Sequence, residues 1–285
     1  MEAAWLEAGL PRERFVELVR ARGAECERTL PWRYIDDPYA VLVSEVMLQQ
    51  TQVARVAGRW ERFLSAFPTV DALAAAATSD VLELWQGLGY NRRALALKRA
   101  AEECSAHNGG RIPNSVEELQ RLDGVGPATA AGVVAFAYDR PAVYLETNVR
   151  AVFLHLLFPG VEGVSDRELR PLVELTCPQR DVRGWYYALL DYGAALKRTV
   201  PNPSRRSAHH SRQSAFEGSR RQKRAELVRI ALACPGVSVE EAAALLDEAE
   251  REGGRGRVDA DVFASLLDDL AREGFFRVVE GRLEP

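Results

Sequence analysis

Leu122-Asp123-Gly124-Val125-Gly126-Pro127-Ala128-Thr129-Ala130, followed some twenty residues on by Leu145-Glu146-Thr147-Asn148-Val149, decides the fold. Two glycines one residue apart allow two helices to meet in a tight turn, because glycine accepts positive φ and lets another backbone approach. A second helix is expected to follow from Ala128. The N–H groups at that helix start point outward and favour an anion. Such a hairpin can hold one phosphate backbone without reading its sequence. An ordinary helix–helix turn can use the same residues, so the hairpin alone is not decisive. Glu146 adds a carboxylate at a short, fixed sequence distance from it.

Outward from the hairpin the pattern is helical almost throughout. Helices are expected at Pro11–Ala24, from Asp36-Asp37-Pro38 to about Val53, and at Ala57–Phe67, Val70–Ala76 and Ser79–Leu84. They continue at Tyr90–His107, Ser115–Arg121, Ala128–Tyr138, Thr147–Leu157 and Gly184–Lys197. Asp36-Asp37-Pro38 is a start signal, with aspartate as cap and proline at the first helical position. Residues 199–224 break the pattern with Pro201, Pro203, His209-His210 and repeated Ser and Arg. Beyond them Gln222–Ala233, Val239–Leu246 and Asp259–Glu273 read as helices, and Phe275–Val279 with Arg282–Leu283 as a hairpin. Three helices and a hairpin suggest a winged-helix unit.

The 285 residues, 47% apolar and 27% charged, describe a globular chain of two or three domains. No signal peptide or membrane-spanning run is legible, which points to a cytoplasmic protein. Cys26, Cys104, Cys177 and Cys234 stand far apart, without the spacing of a zinc or iron–sulfur site. The net charge of −4 is uneven. Residues 236–285 carry −7, which leaves +3 elsewhere, and residues 197–224 hold nine Lys/Arg against one acid, Glu217. That asymmetry is a weak pointer to nucleic acid.

Longer strings sharpen the reading. Leu30-Pro31-Trp32-Arg33, Asp37-Pro38-Tyr39, Ser44-Glu45-Val46-Met47-Leu48-Gln49-Gln50-Thr51-Gln52-Val53, Trp85-Gln86-Gly87-Leu88-Gly89-Tyr90, the hairpin, Asn148-Val149-Arg150 and Asp191-Tyr192-Gly193-Ala194 occur in that order. With them, the region from about Pro31 to Gly193 resembles the helix-hairpin-helix DNA glycosylase superfamily. It resembles MutY-type adenine glycosylases most, with endonuclease III more distant. The resemblance implies an all-α, two-lobed core followed by the small winged-helix-like domain. Residues 36–143 would form a six-helix domain with the hairpin. Residues 1–35 and 144–200 would form the second lobe, 201–221 a basic linker and 222–285 the C-terminal domain.

The resemblance also implies a monomeric enzyme that flips a mispaired or damaged base out of double-stranded DNA and hydrolyses its glycosidic bond. Glu45 matches the general acid, which must be buried to keep a proton near neutral pH. Glu146 stands where the family has an aspartate that stabilises the sugar cation, and it is one methylene longer. Asn148 matches a residue that orders this site. Arg33 and Tyr187 fall at the base pocket. Gln49, Gln50 and Tyr90 match residues that fill the gap in the duplex. Gly124, Gly126, Ala128 and Thr129 form the strand-gripping hairpin, with a monovalent cation as a further candidate at its backbone. Ala128 replaces the lysine of relatives that also cut the strand, so a glycosylase without lyase chemistry is expected.

Three departures keep alternatives open. The four cysteines of the iron–sulfur loop are absent after Ala194, and a basic segment with Arg205 and Arg206 is expected to hold DNA instead. The MutT-like C-terminal domain is absent too. Tyr187 and Glu146 leave the excised base open: adenine opposite guanine or 8-oxoguanine leads. Hypoxanthine, uracil or thymine in mismatches, an oxidised base, a lyase using another lysine, and a non-catalytic damage-binding protein remain alternatives.

Overall fold

The computed structural model describes residues 2–210 and 215–285, with side chains from Trp5 onward. Residues 211–214 of the expected basic linker lie outside the described residues. The first helices are α1 (Glu2–Glu7), α2 (Arg12–Glu25), α3 (Pro38–Leu48), α4 (Val53–Ala66), α5 (Val70–Ala75), α6 (Thr78–Trp85) and α7 (Arg92–His107). There follow α8 (Val116–Leu119), α9 (Pro127–Ala137), α10 (Thr147–Leu157), α11 (Asp166–Thr176) and α12 (Val182–Thr199). The chain ends with α13 (Arg220–Ala233), β1 (Val237–Ser238), α14 (Val239–Glu252), α15 (Ala260–Glu273), β2 (Arg277–Val279) and β3 (Arg282–Glu284). The all-α core expected from the sequence is what the chain forms.

Two compact units are present, one of residues 1–46 and 112–212, the other of residues 47–111 and 213–285. In the first, α12 packs against α10 and α2. Its centre is aromatic: Phe15, Phe153, Trp185 and Tyr186 are fully buried, and Phe15 lies 4.9 Å from Phe153 and 6.4 Å from Trp185, ring to ring. Close helix contact depends on small residues. A Cβ at Gly193 of α12 would stand 2.7 Å from the Asn148 carbonyl carbon, so any side chain there would push the start of α10 away.

The hairpin belongs to this unit. Ser115 caps α8 by accepting from the Glu118 N–H at 3.3 Å, and the chain turns through Gly124, whose φ of +70° favours glycine. Gly126 then caps α9 without a side-chain acceptor, and Pro127 follows. From Ala130 to Ala137 every residue of α9 is buried.

In the second unit α5 and α6 pack on α7. The C-terminal segment of this unit runs helix, strand, helix, helix, strand, strand, with sheet order β1-β3-β2. That is the order in which a winged helix is built. Its α15 carries acids, and Glu273 binds Arg92 at the start of α7 through Nε at 2.6 Å, while also binding Arg224 of α13 at 2.6 Å.

The sequence reading extended α3 to Val53. It ends at Leu48 because Gln50 adopts φ of +52°, which an α-helix cannot accommodate. Helix α11 was not expected from the sequence.

Candidate active site

Glu45 and Glu146 come together in the first unit. Glu45 lies on α3, whose flanking residues Ser44 and Val46 are buried. Its carboxyl meets the backbone of α9 at Gly132: a Cβ there would stand 2.8 Å from Glu45 Cδ and 3.0 Å from Tyr144 Cε2. The small-residue run in α9 therefore makes room for an acid as well as for helix packing. The Tyr144 hydroxyl is hydrogen-bonded to Glu45. Tyr144 is itself fixed edge-on to Phe136 at 5.1 Å and to Tyr186 at 5.4 Å. Burial, and secondarily the negative charge of Glu146, push the Glu45 carboxyl up to about 8, against the opposing pull of the Tyr144 hydrogen bond. At neutral pH Glu45 therefore holds a proton. The residue as a whole keeps partial exposure.

Glu146 is the N-cap of α10. Its Oε1 accepts from the Asn148 N–H at 2.6 Å and the Val149 N–H at 3.0 Å, while Asn148 Nδ2 donates to Oε2 at 3.4 Å. A helix N-terminus favours an anionic cap. Asn148 thus joins Glu146 through both its backbone and its side chain.

Arg33 and Tyr187 are adjacent, with the guanidinium 4.5 Å from the ring centroid. Arg33 is buried, and its Nη1 and Nη2 each donate to Asp191 at 2.7 Å. Arg28 also binds Asp191. Asp191 belongs to a quoted sequence string, but its role as the anchor of two arginines was not legible there. Phe136 stacks on Tyr187 with centroids 5.0 Å apart and planes 6° from parallel. Phe136 and Arg33 both lie against its ring, Tyr187 is buried, and its hydroxyl accepts from the Tyr34 N–H. Burial pushes the phenol up to about 12, keeping it neutral. Tyr34, which the sequence reading passed over, is 62% exposed beside this group, edge-on to Tyr187 at 5.2 Å.

At the hairpin tip, Gly124 and Gly126 are exposed, Ala128 is half-buried and Thr129 is buried. Any contact of Thr129 with a strand would therefore use its backbone. Arg205 is exposed. Arg206 donates to Leu154 O at 2.7 Å and to Phe158 O, closing the C-terminal end of α10. Its guanidinium thus meets carbonyls at the helix end, while the residue stays half-buried.

Gln49, Gln50 and Tyr90 lie in the second unit, on the turns before α4 and α7. Gln50 and Tyr90 have φ of +52° and +49°, an uncommon backbone for residues with side chains that clusters at functional positions. Arg93 ties the two turns together. It donates to Met47 O at 2.9 Å, Gln49 O at 2.6 Å, Gly89 O at 2.9 Å and Thr51 Oγ1 at 3.0 Å. Arg221 of α13 reaches the Tyr90 hydroxyl at 3.0 Å and lies 5.5 Å from its ring centroid.

Among the described residues, no three His, Cys, Asp or Glu gather as a metal site. A four-cysteine cluster does not fit the segment after Ala194, where the first cysteine is Cys234. No helix among the described residues is long and apolar enough to cross a membrane.

This geometry has known counterparts. Residues 43–171 match the family model described as "HhH-GPD superfamily base excision DNA repair protein". The chain is 36% identical over 171 residues to the adenine DNA glycosylase of Mycolicibacterium smegmatis, covering 59% of this chain and 58% of that one. It is 44% identical over 126 residues to the adenine DNA glycosylase of Mycobacterium tuberculosis, covering 44% and 41%. Among solved structures, a thermostable thymine-DNA glycosylase superposes with a TM-score of 0.58 at 25% identity, covering 64% of this chain and 86% of that one. The chain spans about half the length of the curated relatives it matches. Its residues 43–171, which contain both carboxyl groups and the hairpin between them, are thus similar to the HhH-GPD superfamily of base excision DNA repair proteins.

Proposed function

We propose that the chain is a monomeric DNA glycosylase that hydrolyses the bond between deoxyribose and a flipped base, adenine opposite guanine or 8-oxoguanine first among candidates. The observation that carries this reading is the pair of unlike carboxyl groups: Glu45, neutral at pH 7, and Glu146, pinned at a helix start. A carboxyl group that keeps its proton and a second one held at a helix start can supply both ends of a glycosidic cleavage. Glu45 gives its proton to a ring nitrogen of the departing base. That base leaves with the bonding electron pair, positive charge develops on the sugar, and Glu146 stabilises it until water adds. Arg33 and the edge of Tyr187 bound the base, and the hairpin holds the strand. Gln49, Gln50 and Tyr90 fill the space the base vacates, offsetting an unstacking cost of a few kcal/mol. The names of the relatives favour adenine. Without a lysine at Ala128 the product is an intact strand with an abasic site.

A panel of duplexes containing A:8-oxoG, A:G, hypoxanthine, U:G or T:G tests this. Strand scission that needs heat and alkali is expected from an A-containing duplex. Scission without alkali would refute the monofunctional reading. Binding to these duplexes without turnover on any would make the chain a damage-binding protein.

A further inference from the structure

Asn148 also connects Glu146 to a third charged residue. While its Nδ2 donates to Glu146 Oε2, its Oδ1 accepts from Lys197 Nζ at 2.8 Å. Lys197 stands four residues after Gly193 on α12, so the two share a helix face. Gly193 brings α12 onto the Asn148 backbone, and Lys197 engages the same residue's side chain. We propose that Lys197 is a positioning residue: it orients the Asn148 amide so that its NH2 end holds the free oxygen of Glu146 in place for bond cleavage.

The argument is one of donors and acceptors. An amide has an oxygen that only accepts and a nitrogen that only donates. An ammonium has three donors and no acceptor, so it fixes which end of the amide faces it. The NH2 is then directed to the carboxylate. Without the ammonium the amide is free to turn its oxygen towards another oxygen, which repels. A glutamate has one more rotatable bond than the aspartate of the resembled family, so it needs an additional restraint to hold both oxygens. Lys197 is half-buried; burial lowers its pKa, while the charge of Glu146 raises it and those of Arg150 and Arg28 lower it. The lysine is therefore electrically coupled to the candidate catalytic carboxylate and not merely a surface group.

The inference rests on the glycosylase reading for its rate measurement, but not for its spectroscopic one. On whichever duplex the panel shows to be cleaved, Lys197→Met should lower the single-turnover rate about 10- to 100-fold. Duplex affinity and thermal unfolding should be nearly unchanged. Lys197→Arg should restore most of the rate. Asn148→Ala should lose as much, and the double variant Lys197→Met/Asn148→Ala no more than Asn148→Ala alone. Wild-type rate in Lys197→Met, or losses that multiply in the double variant, would overturn the proposal. So would a borohydride cross-link to abasic duplex that Lys197→Met abolishes, which would make Lys197 a nucleophile. If the wild-type chain cleaves nothing, the glycosylase reading fails by itself. The coupling is then read from the 13Cε titration of Lys197, whose midpoint should fall further in Glu146→Gln. A midpoint indifferent to Glu146 would overturn the positioning role.

Discussion

Glu45→Gln should stabilise the protein while disabling it, and the stabilisation should depend on pH. The unfolded chain releases this proton near the ordinary value of 4.5, the folded chain near about 8. Between those values the folded state binds the extra proton, so this group's contribution to stability falls as pH rises and levels off above 8. The full shift corresponds to about 5 kcal/mol at about 1.36 kcal/mol per pH unit. Partial exposure and relaxation around the carboxylate reduce the expected gain to about 2–4 kcal/mol. Gln keeps the shape and can still meet Tyr144, but it never ionises. Urea unfolding of both proteins should give equal stabilities near pH 4.5 and a Glu45→Gln advantage of about 2–4 kcal/mol at pH 8.5. Single-turnover excision by the wild type should fall about tenfold per pH unit above about 8 as the acid loses its proton. A stability difference flat between pH 4.5 and 8.5, or a variant that is less stable at pH 8.5, would refute a carboxyl held neutral by its surroundings. Full activity in Glu45→Gln would refute its role as the acid.

Three further outcomes follow from contacts already described. A Cβ at Gly126 meets no protein atom within 4 Å and its φ of −81° suits any residue; Gly126→Ala should therefore keep its thermal unfolding midpoint yet bind duplex DNA about tenfold more weakly by fluorescence anisotropy, since only the approaching strand is obstructed. Asp191→Ala leaves two arginines facing one another, Arg33 among them buried, and should cost about 3–5 kcal/mol in chemical unfolding. Arg221→Met removes the hydrogen bond and ring contact that steady Tyr90; base flipping, followed by 2-aminopurine fluorescence, should slow about three- to tenfold at unchanged fold, and unchanged flipping would dismiss the contact.

What the sequence revealed, and what it hid, follows distance along the chain. Helix α10 was legible to the residue, because its apolar spacing and capping acid are local. Helix α11 has an equally local capping box, Ser165 with Glu168, and carries Pro171 in its interior, where proline weakens the local helical signal. Glu45 and Glu146 were legible through motifs. Their surroundings were not: Gly132 is identified as an acid's neighbour only once α3 and α9 are packed. Lys197 lies 49 residues from Asn148 and Arg93 lies 44 from Gln49, and nothing local distinguishes either from a solvated surface charge. The partners of Arg206 were hidden for the same reason, since its two carbonyl acceptors lie 48 and 52 residues away.

The extra methylene of Glu146 is the remaining difficulty for a catalytic reading, and the helix cap answers it. A capping carboxylate accepts from the N–H groups two and three residues on. Glu146 makes both bonds, to Asn148 and Val149, at 2.6 and 3.0 Å. Those N–H groups are fixed by α10, and α10 is fixed against α12 at Gly193. An aspartate capping the same helix would have to place an oxygen within hydrogen-bond reach of the same two groups. The longer chain is therefore taken up by a bend of the side chain, and the capping oxygen stays where a shorter acid would hold it. Oε2 is the oxygen that the cap leaves over. Its one side-chain partner is the long 3.4 Å bond from Asn148. Retuning by glutamate thus falls on a single atom, and the Lys197–Asn148 pair is where its position is set.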